Sequence, residues 1–284
     1  MTIVADRNSL PAAFFNVGSS SFVELLQDVA PELLTRTRSL PQATALNEPA
    51  HATTIVAMRY ADGVLMAGDR RATIGSLIAH REIDKVFQVD EHSVVGIAGT
   101  AGIALELVRI FQLEVEHFEK IEGVPLSLDG KANRLATMTR QNLALAMQGL
   151  AAVPLFAGFD TAQQLGRIYS YDVTGGRYLE RDFYSVGSGA AYARSALKKL
   201  WSTNLSRQDA ILTAVHALAD AAEEDSGTGG PDLIHKIWPV VATVDASGFT
   251  RVGDEELAQT ARRVADRLVQ GNRPGTAQNG DERS

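Results

Sequence analysis

The chain has 284 residues, 45% of them hydrophobic, enough to bury a large core in one domain or two small ones. A net charge of −7 argues against a nucleic-acid-binding face, and the lack of cysteine excludes disulfides, thiolate metal sites and cysteine nucleophiles. No apolar run approaches the roughly 20 residues of a membrane span, and Met1 to Arg7 has no secretory pattern, so a soluble cytoplasmic protein is expected.

Residues 1–52 form a polar, irregular leader broken by Pro11, Pro31, Pro41 and Pro49. One helical island stands out between Ser21 and Val29. Ser21 and Glu24 have capping-box spacing, and Phe22, Leu25, Leu26 and Val29 line one face. Two readings stay open: an arm packed on its own domain, or a propeptide docking on a partner. At Thr53-Thr54 the pattern turns abruptly into a strand, Thr53 to Tyr60, that stops at the turn Ala61-Asp62-Gly63. A hydroxyl at a strand start is ordinary unless the chain is cut before Thr53. That residue would then carry a nucleophile and a free α-amine, which titrates near pH 8 and suits a general base at neutral pH.

Further strands are predicted at Gly63–Asp69, Lys85–Val89 and Ser93–Gly99. Ile103, Leu107, Ile110, Phe111, Val115 and Phe118 then recur at helical spacing up to Gly123-Val124-Pro125. A second helix, with Leu135, Met138, Leu143, Leu145 and Met147, runs to Gly149. Strands return at Val153–Gly158 and Gly166–Tyr171, followed by helices near 190–201 and 206–224. A closing strand from Lys236 to Val244 and a helix near 254–269 complete the body, and the polar tail 271–284 is expected to be disordered. Strands and helix pairs in this order predict an α+β fold, a four-layer α-β-β-α sandwich of two antiparallel sheets.

Several clusters could carry chemistry, each with an ordinary alternative. Asp69-Arg70-Arg71 after a strand is normally a solvated turn, but Gly68, Thr73 and Gly75 around it make a loop able to approach another backbone. Lys85 opens an apolar strand, either snorkelling to solvent or placing its cation beside Thr53 with Asp69 orienting it. Gly96 to Gly102 joins a strand to a helix, where backbone N–H groups could form an oxyanion hole. It is no P-loop, and Gly187-Ser188-Gly189 is no complete nucleophile elbow. Asp225 to Asp232 is either a helix cap with a breaker or a hydroxyl-and-carboxylate cluster. The scattered histidines His80, His92, His117, His216 and His235 show no paired spacing, so no metal site and no cofactor are expected.

Taken together the chain resembles actinobacterial 20S proteasome β-subunits. The motifs are Thr53-Thr54-Ile55-Val56-Ala57, Ala67-Gly68-Asp69-Arg70-Arg71-Ala72-Thr73, Lys85-Val86, Gly96-Ile97-Ala98-Gly99-Thr100-Ala101, Glu119 to Leu126, Gly187-Ser188-Gly189 and Asp225 to Asp232. They occur in order across about 53–270, and the leader from Ser20 to Leu34 is similar to actinobacterial propeptides. The resemblance implies the N-terminal nucleophile hydrolase fold and a threonine-type endopeptidase. It implies that residues 1–52 are a propeptide removed by self-cleavage between Ala52 and Thr53, leaving 53–270 as the catalytic domain.

Thr53 would then be the nucleophile, Lys85 would tune its hydroxyl and Asp69 would hold Lys85. The Gly99 N–H would stabilise the oxyanion, and Ser188, Asp225 and Thr228 would surround the amine. Thr228 stands where many relatives carry serine. Thr73 and Ala101 would align the substrate backbone as an added strand. Ala72, Ile83, Phe87, Ile97 and Ala101 would line an apolar pocket for the residue before the cut. Implied partners are α-subunits and other β-subunits in seven-membered rings, a ring-shaped ATPase, and protein substrates tagged by a ubiquitin-like modifier. Relatives usually have glycine before the threonine; Ala52 here predicts slower processing, since glycine adopts a strained backbone more readily. The alternatives are a proteolytically silent ring subunit, which would be free to lose Thr53, Asp69 and Lys85, and a small-molecule amidase of the same fold.

Overall fold

The computed structural model describes residues 53–74 and 77–271. The leader with its helical island, Ala52, Gly75 and the tail beyond Gly271 lie outside the described residues. Along the chain the elements are β1 (Thr54–Tyr60), β2 (Gly63–Gly68), β3 (Ala72–Ile74), β4 (Leu77–His80), β5 (Val86–Asp90) and β6 (Ser93–Gly99). Then come α1 (Ala101–Glu122), α2 (Leu128–Gln141), the single turn α3 (Leu143–Ala146), β7 (Ala152–Asp160), β8 (Leu165–Tyr171), β9 (Arg177–Glu180) and β10 (Phe183–Gly187). The last are α4 (Ala190–Leu200), α5 (Arg207–Glu224), β11 (Val240–Asp245), β12 (Gly248–Arg251) and α6 (Asp254–Gly271).

One antiparallel sheet has the order β10-β1-β2-β11-β12 and a second the order β5-β6-β7-β8-β9, while β3 and β4 pair as a small ribbon. The period-2 geometry of a strand explains the layering. In β1, Ile55 and Ala57 join a core with Val94, Ala98, Leu155 and Ile168 of the second sheet. The alternate residues Val56, Met58 and Tyr60 pack instead with Leu197, Ile211, Val215 and Leu218 of α4 and α5. The second sheet repeats the arrangement: Val95, Phe156 and Tyr169 turn outward onto Leu107, Phe111 and Leu135 of α1 and α2. Strands buried on both faces read as unbroken apolar runs. The expected α-β-β-α sandwich is thus the observed fold.

The details differ in three places. In α1 the buried stripe is Ala104, Leu107, Val108, Phe111 and Val115, whereas Ile110, one of the apolar residues at helical spacing, is 42% exposed. The second predicted helix ends at Gln141 rather than Gly149. Asn142 donates its N–H to the Thr139 and Arg140 carbonyls, the chain turns, and Met147 is exposed. The closing strand starts at Val240, because Lys236 has φ 58° and Ile237 makes an isolated bridge to Asp232. The short strands β3, β4, β9, β10 and β12 were not predicted.

Candidate active site

Thr53 sits immediately before β1, a central strand of its sheet, and is only 4% exposed. Its peptide link to Thr54 is held from both sides. The Ser188 N–H donates to the Thr53 carbonyl at 2.9 Å, and the Thr54 N–H donates to Asp69 Oδ1 at 2.8 Å. Pairing of β1 with β2 places Asp69 there: Ile55 lies opposite Gly68, and the Asp69 N–H returns to the Thr54 carbonyl at 3.1 Å.

Lys85 arrives from the other sheet, its carbonyl accepting from the Ile97 N–H of β6 at 3.1 Å. Its ammonium donates to Asp69 Oδ1 at 2.7 Å and to the Arg71 carbonyl at 2.6 Å. Asp69 Oδ2 accepts from the N–H groups of Arg71 and Gly229, both at 2.9 Å. Asp69 is fully buried and Lys85 is 5% exposed. Burial pulls the Lys85 ammonium below the ordinary lysine range, outweighing the opposing attraction of Asp69.

A second cluster lies on the other flank. Asp225, the residue capping the C-terminus of α5, accepts at Oδ2 from the Ser188 hydroxyl and from the Thr228 hydroxyl, both at 2.6 Å. Ser188 Oγ lies 3.4 Å from both the nitrogen and the carbonyl oxygen of Thr53. The chain described still carries residues 1–52, so that nitrogen is a peptide nitrogen.

A narrow cavity of about 30 Å³ is lined by Thr53, Lys85, Gly99 and the predicted apolar set Ala72, Ile83, Phe87, Ile97 and Ala101. Gly99 has φ +119°, and a Cβ there would meet the Ala151 carbonyl oxygen at 2.1 Å, so only glycine fits. Thr73 lies on β3, outside that lining. Among the described residues β3 pairs only with β4, which leaves its other edge without a strand. A larger groove of about 910 Å³ lies between α1 and the β11–β12 turn, and none of its lining residues belongs to this cluster.

Sequence reasoning missed Asp84, Ala104 and Leu105, which complete the cavity wall. The signal was available, since Leu105 lies one helical turn after Ala101. It also gave Thr54 no role, although Thr54 Oγ1 lies 2.6 Å from Thr228 Oγ1. Among the described residues three histidines have carboxylate partners, His92 with Glu91, His216 with Asp220 and His235 with Asp232, each within a few residues along the chain. Among the described residues no three His, Asp or Glu side chains converge on a common point, and no helix is long and apolar enough to cross a membrane.

Two comparisons bear on this geometry. A family model described as "Proteasome subunit" matches residues 50–235. The "Proteasome subunit beta" of Streptomyces griseus subsp. griseus is 54% identical over 261 residues, covering 92% of this chain and 93% of the relative. The chain therefore belongs to the proteasome subunit family as a β-type subunit with the N-terminal nucleophile hydrolase sandwich, and its activity class is threonine-type endopeptidase.

Proposed function

We propose that this β-subunit is catalytic and that cutting the bond between Ala52 and Thr53 converts an inactive precursor into the enzyme. While the leader is attached, the Thr53 nitrogen is an amide and cannot act as a base. Cleavage turns it into an α-amine titrating near pH 8. That amine takes the proton of Oγ as Oγ bonds to the substrate carbonyl carbon, and the Gly99 N–H stabilises the resulting oxyanion. The C–N bond then breaks, the ammonium returns its proton to the leaving amine, and a threonine ester remains. Water, activated by the same amine, hydrolyses the ester and regenerates Thr53.

Lys85 lowers the cost of deprotonating Oγ, and Asp69 keeps it in place. Ser188, Asp225 and Thr228 orient the new amine. One observation carries this reading: Thr53 lines the same cavity as Lys85, whose ammonium is buried 2.7 Å from Asp69. Substrate would add as a strand along Thr73 and Ala101, with support from the uncovered edge of β3 among the described residues. The apolar walls Ala72, Ile83, Phe87, Ile97 and Ala101 favour a hydrophobic side chain before the cut.

The subunit works in seven-membered β-rings flanked by α-rings in the cytoplasm, fed unfolded, modifier-tagged proteins by a ring ATPase; family membership supports this assembly. Assembled with α-subunits, the wild type should cleave a fluorogenic hydrophobic peptide and Thr53→Ala should not. Intact mass should show loss of residues 1–52, faster in Ala52→Gly. Peptidase activity surviving Thr53→Ala would overturn the mechanism.

A further inference from the structure

The hydroxyl of Thr54 is fully buried and belongs to a chain whose direction is fixed by its ends. Asp225 can only accept, so the Thr228 hydroxyl spends its single proton on Asp225 Oδ2 at 2.6 Å. Thr54 must therefore donate to Thr228 Oγ1 across their 2.6 Å contact. Thr54 Oγ1 in turn accepts from the Gly189 N–H at 3.0 Å. The run is Gly189 N–H to Thr54 O–H to Thr228 O–H to the Asp225 carboxylate, which also receives the Ser188 hydroxyl. Each donor in such a run polarises the next.

The space around Gly189 fits the same picture. A Cβ at Gly189 would lie 2.5 Å from Thr54 Oγ1, 2.6 Å from Thr228 Oγ1 and 3.1 Å from Asp225 Oδ2. The backbone there, at φ −85° and ψ 6°, is open to any residue. Glycine is thus required by the three oxygens and not by its conformation. Thr54 also joins the two flanks of the nucleophile, because its backbone N–H donates to the Asp69 oxygen that holds Lys85.

We propose that Thr54 is a positioning residue for the peptidase reaction: its hydroxyl fixes the Thr228–Asp225–Ser188 cluster against the amine end of Thr53. The inference rests on the catalytic reading above and concerns a residue that never touches substrate. A residue of merely structural value would change stability and assembly; this one should change turnover.

The test uses the assembled particle and the fluorogenic hydrophobic peptide, comparing wild type, Thr54→Val, Thr54→Ser, Gly189→Ala and Thr53→Ala. Valine keeps the shape of threonine and deletes the hydroxyl, leaving Thr228 without its donor and the Gly189 N–H without its acceptor. Loss of that buried link should lower kcat about tenfold with KM within about twofold of wild type. Thr54→Ser should restore kcat to within about twofold. Gly189→Ala should reproduce the valine effect with the Thr54 hydroxyl still present. Retention of residues 1–52 by assembled Thr54→Val, but not by Thr54→Ser, also supports the inference, because the same nucleophile performs that cut.

The inference is overturned by unchanged kcat in Thr54→Val, by an effect on KM alone, by failure of serine to rescue, or by failure of Thr54→Val particles to assemble where serine particles do. The Thr53→Ala arm keeps the two readings apart. An inactive wild type or an active Thr53→Ala sinks the catalytic reading itself, whatever the Thr54 variants do.

Discussion

On one flank of Thr53 two opposite charges are sealed from solvent. Asp69 is fully buried, and Lys85, 5% exposed, donates to it at 2.7 Å. On the other flank neutral hydroxyls converge on one carboxylate, with Ser188 at the exposed rim and Thr228 and Thr54 buried behind it. The two flanks have different physics. Sealing a charge pair is costly, and removing one member leaves an uncompensated charge worth about 3–5 kcal/mol of destabilisation. A neutral hydroxyl contributes only about 1 kcal/mol. Substitutions on the charged flank should therefore damage fold and chemistry together, whereas those on the hydroxyl flank should reach chemistry alone.

The largest effect is expected from Asp69→Ala. It strands the Lys85 ammonium and removes the acceptor for three backbone N–H groups, those of Thr54, Arg71 and Gly229. Loss of about 3–5 kcal/mol or more, seen as a collapsed thermal transition, should accompany undetectable peptidase activity. Lys85→Met should be milder for the fold, since those three N–H groups still satisfy the Asp69 carboxylate. Its activity should nevertheless fall at least about a hundredfold. Equal destabilisation by the two variants would show that the backbone donors do not hold the carboxylate as argued.

The sequence and the structure part company where contacts are long in sequence and short in space. The strand from Ser93 to Gly99 was legible to the residue because it is apolar, flanked by a turn and a glycine-rich junction, and buried on both faces. By contrast β9, Arg177–Glu180, is largely exposed and shows no alternation, so nothing in its pattern marks a strand. In α1 the apolar spacing marked the helix but not its buried face: Ile110 is exposed, and the buried stripe runs through Ala104 and Val108. At the site, residue type made Thr53, Asp69 and Lys85 readable as a nucleophile with a charge pair. Thr54 had no such signal, because its partner Thr228 lies 174 residues away and neither hydroxyl sits in a periodic pattern.

Ser188→Ala probes the hydroxyl flank more gently than the charged one. Asp225 keeps the Thr228 hydroxyl and the Gly227 N–H at 3.2 Å, so the carboxylate stays anchored. Activity should fall about tenfold, while the melting temperature stays within about 2 °C of wild type. A large loss of stability would erase the contrast between the flanks.

The smallest effect concerns stability against pH and belongs to the charged flank alone. Burial holds the folded-state pKa of Lys85 below its ordinary value of 10.5, despite the pull of Asp69. Between the folded value and 10.5 the unfolded chain binds a proton that the folded chain has released, so stability rises with pH across that window. Below the window both states carry the proton, and above it neither does, so the contribution is flat on both sides. Urea denaturation of the full-length wild type and of Lys85→Met isolates this one group. The wild type should gain on the methionine variant as pH rises toward 10.5. A gap moving the other way would mean that attraction to Asp69 outweighs burial, and that the pair stabilises the folded chain through its charge.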